Sequence, residues 1–123
     1  GPMKKLFFAT LIISSASFSD WGDSYFCEMI HHTTVNQSGE IKYRNLENFA
    51  FTLRKADKKM VLTGGFTFDG SVVPISERFS NDVVFEGQDS RSQWYDFDVA
   101  REVLLYSSNV GALVNIVATC KQI

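Results

Sequence analysis

The chain has 123 residues, 12 basic and 14 acidic side chains, 45% apolar content and 11 phenylalanines, which fits one small domain with a modest core. With a net charge of −2 and no basic run, it is a poor match for nucleic acid or an anionic membrane.

Gly1 and Pro2 ahead of Met3 look like the scar of a cleaved purification tag. From Met3 the chain runs through Lys4 and Lys5, an apolar block over residues 6–13, and small residues including Ser17 and Ser19. That pattern reads as a secretory signal cut after Ser19. The block is well short of the roughly 20 residues a membrane span needs, and no cysteine follows it directly to carry a lipid anchor. Residues 1–19 are thus assigned to scar and signal. Residues 20–123 form a single exported domain, periplasmic or secreted, with ten basic and fourteen acidic side chains and a net charge of −4.

Residues 25–34 read as a strand with Tyr25, Cys27 and Met29 inward. His31 and His32 are adjacent, so a strand points them to opposite faces and they cannot share one ion. Glu28 then sides with His32; only a helix would bring that pair within a turn of each other to hold a metal. Residues 35–40 are a loop in which Asn36, Gln37 and Ser38 match a glycosylation acceptor by chance, since the signal looks bacterial. Residues 41–44 make a short strand and 45–48 a turn. Phe49, Phe51 and Leu53 alternate inward, the tip over 55–59 is polar and cationic, and residues 60–63 return as a hairpin. Residues 64–70 read as a short strand between glycine turns; no helix or lysine follows, so no phosphate loop is supported. Pro74 places residues 72–75 at an edge or an irregular crossing. Residues 76–82 are polar with room for one helical turn, 83–86 form a strand closed by Gly87, and 88–93 are a loop.

In the last third, Tyr95, Phe97 and Val99 point inward while Trp94, Asp96 and Asp98 point outward. Residues 103–106 are apolar on both parities, as in a strand covered on both sides. Residues 107–111 form a turn, and Ala112, Val114, Ile116, Ala118 and Cys120 line the dry face of a final strand. A short helix capped by Asp98 is the alternative for residues 98–107.

About seven or eight short strands with frequent turn signals predict an all-β fold, a small antiparallel β-barrel or a two-sheet sandwich. Cys27 in the first strand and Cys120 in the last are expected to form a disulfide that clips the domain near its ends, worth about 4–5 kcal/mol in the chain-entropy model. A nucleophilic Cys27 with His31 or His32 as base competes with that bridge, and export argues against it. The plan resembles that of small exported bacterial proteins, periplasmic lysozyme inhibitors among them, in architecture alone. The serine-glycine and tyrosine loop of the best-known inhibitor family has no counterpart, so no family follows.

Asp89, Asp96 and Asp98 do not match a calcium loop. General acid or base work needs a buried carboxylate, and these lie opposite the apolar parity. No serine stands in a nucleophile elbow. The sequence therefore supports no catalytic residue, metal ligand or cofactor. Outward aromatics are more informative, because Trp left outside often anchors a contact. The candidate contact patch is Trp94 with Arg91, Asp96 and Asp98, together with Trp21. The expected function is a non-catalytic binding or inhibitory module that contacts a protein or envelope component, with no nucleic acid partner and no integral membrane span. The alternative is a calycin-like carrier holding a small apolar ligand in a barrel lined by Phe49, Phe51, Phe66, Phe68 or Phe97. A deep pocket favours the carrier, and a filled core with Trp94 exposed favours the contact surface.

Overall fold

The computed structural model describes residues 21–79, 83–88 and 92–123; the proposed signal over residues 1–19 and Arg91 lie outside them. Alternating apolar and polar residues become strands throughout: β1 (Ser24–Val35), β2 (Ile41–Tyr43), β3 (Asn48–Arg54), β4 (Lys59–Thr63), β5 (Val72–Phe79), β6 (Val83–Gln88), β7 (Gln93–Asp98), β8 (Val103–Asn109) and β9 (Leu113–Gln122). Neighbours in sequence pair antiparallel from β3 to β9, and β1 pairs with both β3 and β9. The sheet thus closes into an eight-stranded barrel, with β2 as an extra strand on β1.

β2 and β3 keep one register against β1. Thr33 faces Tyr43 and Glu28 faces Asn48. Between them the Met29 amide donates to the Glu47 carbonyl at 3.1 Å and the Arg44 amide to the His32 carbonyl at 2.8 Å. The segment over 44–47 is therefore an irregular break in one long partner of β1. On its other side β1 carries a bulge against β9 between Met29 and His31. Before the bulge Glu28 faces exposed Thr119; after it His32 faces buried Ile116. Glu28 and His32 accordingly lie on opposite faces, contrary to the strict alternation assumed from sequence, because one extra residue flips the parity.

Four further expectations change, and the helical alternative after Asp98 drops out. Residues 64–70 are an ordered loop and not a strand. Residues 76–79 continue β5, and Gly87 lies inside β6. Leu105 on β8 is half exposed, so that strand is covered on one face only. Residues 99–102 form a turn with Glu102 at φ 57°, so no helix follows Asp98. Pro74 sits where β5 passes from one partner to the next. The β4 ladder ends at Lys59 opposite Pro74 and the β6 ladder begins at Ile75 opposite Gly87, a crossing that tolerates the missing donor.

The barrel interior is filled by its own rings. Tyr25 stacks on Phe51 at 5.1 Å, and both meet the edge of Phe97, at 4.7 and 5.0 Å. A second layer packs Phe68 against Phe49 at 4.7 Å, Tyr106 at 5.0 Å and Tyr95 at 5.9 Å. Eight strands leave an interior about wide enough for such side chains. Trp21 closes one end, with its ring edge-on to Phe85 at 5.3 Å, its Nε1–H donated to Glu77 and the Lys58 ammonium 4.2 Å above it. Phe68, 1% exposed, closes the other.

Phe68 is set in place by the loop over 64–71. Glu47 Oε1 accepts the amides of Phe66 at 2.8 Å and Thr67 at 3.0 Å, and Oε2 accepts the Thr67 hydroxyl at 2.9 Å. Asp69 accepts the Gly64 amide at 2.9 Å. Gly65 has φ +68°, and a Cβ there would stand 2.6 Å from Glu47 Oε1, so this position favours glycine on both counts. No helix among the described residues is long and apolar enough to cross a membrane.

The disulfide joins Cys27 and Cys120, directly opposite each other on β1 and β9. Both are fully buried at the seam where the barrel closes, and the bridge spans 93 residues of sequence. Replacing both cysteines by alanine is expected to lower unfolding free energy by about 2–5 kcal/mol, read as a fall in urea midpoint. Reductant without denaturant should leave the native bridge intact over the time in which it reduces an exposed control disulfide.

Desolvation pushes the Glu47 carboxyl upward, but the amides of Thr67 and Phe66, the Thr67 hydroxyl and His32 outweigh it and hold its pKa below the ordinary value. A depressed carboxylate stabilises the folded state above its unfolded pKa, and that contribution is lost as pH falls through the folded value. Glu47→Gln is therefore expected to cost about 1 kcal/mol at neutral pH. The gap from the parent protein should narrow in acid melts below roughly pH 4.

Candidate functional site

Alternation on three neighbouring strands brings one set of side chains to the outside of the barrel: Pro74 and Ser76 on β5, Glu86 and Gln88 on β6, Trp94 and Asp96 on β7. The register aligns them across the sheet. Ser76 faces Glu86, Glu86 faces Asp96, and Gln88 faces Trp94. They border a surface groove of about 620 Å³, with Ile75, Gly87 and Tyr95 also lining it. Trp94 is 45% exposed at its margin.

Gly87 controls the approach of β5 to β6. A Cβ at this position would meet Ile75 Cγ2 at 2.6 Å, Val73 Cγ1 at 2.9 Å and the Pro74 carbonyl oxygen at 3.0 Å. The missing side chain lets two buried residues of β5 occupy that space. β5 can then lie close against β6 below the groove.

An indole face offers a large area with one donor. Glu86 and Asp96 are cross-strand neighbours on one face, an arrangement of like charge that a sheet tolerates at a cost. Each takes part in further interactions of its own. Gln88 and Ser76 add neutral donors and acceptors. Such a set suits a partner with cationic groups or hydroxyls. Among the described residues no three His, Cys, Asp or Glu side chains are grouped to hold a metal ion.

Of the residues singled out from sequence, the structure brings Trp94 and Asp96 together at the groove. Asp98 turns to the β7–β8 turn instead, where it accepts the Arg101 amide at 3.0 Å and its guanidinium at 2.6 Å. Desolvation raises the Asp98 pKa, but these Arg101 bonds and charge lower it further, leaving it below the ordinary carboxylate value. Trp21 is built into one end of the barrel, against Phe85 and Glu77, and is not among the residues lining the groove; Arg91 is outside the described residues. Cys27 is committed to the bridge. His32 donates Nδ1–H to the Asn45 carbonyl at 3.0 Å, while His31 Nε2 lies 3.1 Å from the Thr33 hydroxyl. Sequence reasoning missed Pro74, Ser76, Glu86 and Gln88. Reading Gly87 as a strand end hid the parity that places Glu86 and Gln88 on one face.

Comparison with known protein families, with curated proteins and with solved structures gave no match.

Gly87→Ala is expected to destabilise the domain by about 1–3 kcal/mol through overpacking against Ile75 and Val73. Thermal or urea unfolding checks it.

Proposed function

We propose that this chain is an exported, non-catalytic binding or inhibitory module whose contact surface is the groove beside Trp94, engaging a protein or another envelope component. One observation carries the reading: a half-exposed tryptophan borders an open groove on the flank of a barrel whose interior is occupied by its own rings. Exposed tryptophan in a concave, partly polar setting is the kind of residue that concentrates binding energy. The disulfide, and the lack among described residues of a membrane-crossing helix, are compatible with export. The carrier alternative needs space inside the barrel, where Phe49, Phe51, Phe68 and Phe97 are packed against one another, and Phe66 faces solvent.

The test is site-specific photocrosslinking of the chain in its native host, with p-benzoylphenylalanine in place of Trp94 and, as control, in place of exposed Thr119 on β9. A discrete adduct is expected from position 94 and not from 119. Trp94→Ala should reduce capture of the crosslinked partner at least tenfold while the melting temperature stays unchanged. Absence of any adduct at 94, combined with extra mass that native mass spectrometry sees lost on denaturation, would transfer the assignment to the carrier.

A further inference from the structure

Among the described strands, β2 alone has a partner on one side only: it pairs with β1 and with nothing else. Two bonds at its ends fix its phase. The Arg44 amide donates to the His32 carbonyl at 2.8 Å, and the Asn36 amide donates to the Glu40 carbonyl at 3.1 Å. These pairs fall in step with Thr34 opposite Lys42. Glu40, Lys42 and Arg44 therefore turn their backbone groups toward β1, while Ile41 and Tyr43 turn theirs away. Residues 40–46 are exposed throughout, and among the described residues no backbone bond reaches the outward groups of Ile41 or Tyr43. An edge of this kind is matched by another extended backbone.

We propose that the matching strand is β2 of a second copy of this chain, paired antiparallel about a two-fold axis at Lys42. Outward groups must face outward groups, which leaves three registers: Ile41 opposite Ile41, Ile41 opposite Tyr43, or Tyr43 opposite Tyr43 of the second copy. The first suits Glu40 to Lys42 but sets Tyr43 against Gly39. That glycine has φ 83° and its amide is bonded to the Asn36 carbonyl at 2.9 Å, so it stands outside the strand. The third sets Lys42 opposite Arg44 at both ends, like charges that destabilise a pair. The second exchanges both backbone bonds at each Ile41–Tyr43 pair and places Glu40 opposite Arg44 of the second copy at either end. Lys42 then meets its counterpart at the axis, a repulsion reduced by Glu40 of its own strand at 3.8 Å.

The topology leaves room for two barrels. β2 lies along the Thr33–Val35 end of β1, and the chain then runs through 44–47 into β3, which pairs with the opposite end of β1 and carries β4 on its other side. Each barrel body thus lies beyond the C-terminal end of its own β2. In an antiparallel pair those ends point apart, and the bodies sit at opposite ends of the joint. The Arg44 Nε–H bond to the Thr34 hydroxyl at 3.2 Å keeps the guanidinium on the Lys42 face, where Glu40 of the second copy stands. None of the residues lining the Trp94 groove takes part. So short a joint belongs to the weak class that buries less than about 1,200 Å², and the dimer forms at high protein concentration.

The experiment is sedimentation equilibrium of the full chain at up to about 1 mM, for the parent, Glu40→Arg, Arg44→Glu and an equimolar mixture of the two variants. The parent is expected to dimerise. Each variant alone puts like charges at both ends of the pairing and should dimerise about tenfold more weakly. The mixture should regain the parent's affinity as a heterodimer, a pattern that self-association through the leader segment would not give. Melting temperatures should stay close to the parent's, since both side chains are exposed. Lys42→Cys should oxidise to a linked dimer, because its counterpart stands about 4.5 Å away in a pair without backbone bonds. Arg44→Cys should link far more slowly, its counterpart lying about 13–14 Å along the strand. The proposal is overturned by a parent that stays monomeric, by variants that dimerise as the parent does, by a mixture that does not recover, or by equal oxidation rates at 42 and 44. A monomeric parent reassigns the β2 edge to a strand of a different protein.

Discussion

Closure between the first and last strands is the constraint on which the rest depends. An antiparallel sheet left open would present two edges to any passing strand. Here β1 meets β9 along nearly its whole length, and Cys27 is bonded to Cys120 inside that seam. Once circumference is set by eight strands, the interior volume is set too. The chain fills it with Tyr25, Phe49, Phe51, Phe68, Tyr95, Phe97 and Tyr106, large rigid groups that pack edge to face at a low cost in side-chain entropy. With the interior filled in this way, the proposed contact surface lies on the outside. The features that distinguish its surface are therefore those where strand regularity breaks: the bulge on β1, the interruption over 44–47, the handover at Pro74 and the glycine at 87.

Those breaks also mark where sequence reasoning stopped. Period-two alternation made Phe49, Phe51 and Leu53, Tyr95 and Phe97, and Ile116, Ala118 and Cys120 legible as inward positions. All are buried. The pairing of the two cysteines followed from their places in the first and last strands. Alternation has no memory across a bulge, however, so the face of His32 was misjudged beyond Met29. It is also ambiguous at glycine. Gly87 carries no side chain to show its parity, and read as punctuation it concealed the face shared by Glu86 and Gln88. Phe66 and Phe68 are two apart, which in a strand would place them together. The carboxylate of Glu47, twenty residues before Thr67, turns the loop so that one ring is core and the other solvent-facing. That contact is tertiary, and no local pattern encodes it.

Trp21 shows topology choosing between two readings that the sequence left open, an outward contact residue and a side chain folded back over a barrel end. In the fold it caps the barrel, with Phe85 below, Lys58 above and Glu77 at its nitrogen. A barrel end exposes the rims of its inner layer, and a large side chain from the entering chain is the nearest group available to cover it. Trp94 has no such vacancy to fill. Its strand is paired on both sides and its inner neighbour positions are held by Tyr95 and Phe97, so the indole stays on the flank. Similar residues thus receive different assignments from topology and not from composition.

The β5–β7 groove lies at the Pro74 handover and Gly87, above a packed core, while the Phe66 loop is tied mainly to Glu47 and Phe68. Packed aromatic layers resist continuous deformation, so the proposed contact surface on the flank keeps its geometry. Rigidity, which the seam disulfide and the ring-filled interior both supply, is what this arrangement asks of a fold. A carrier that opened to admit a ligand would need the opposite: a looser second layer around Phe68 and a loop able to leave Glu47.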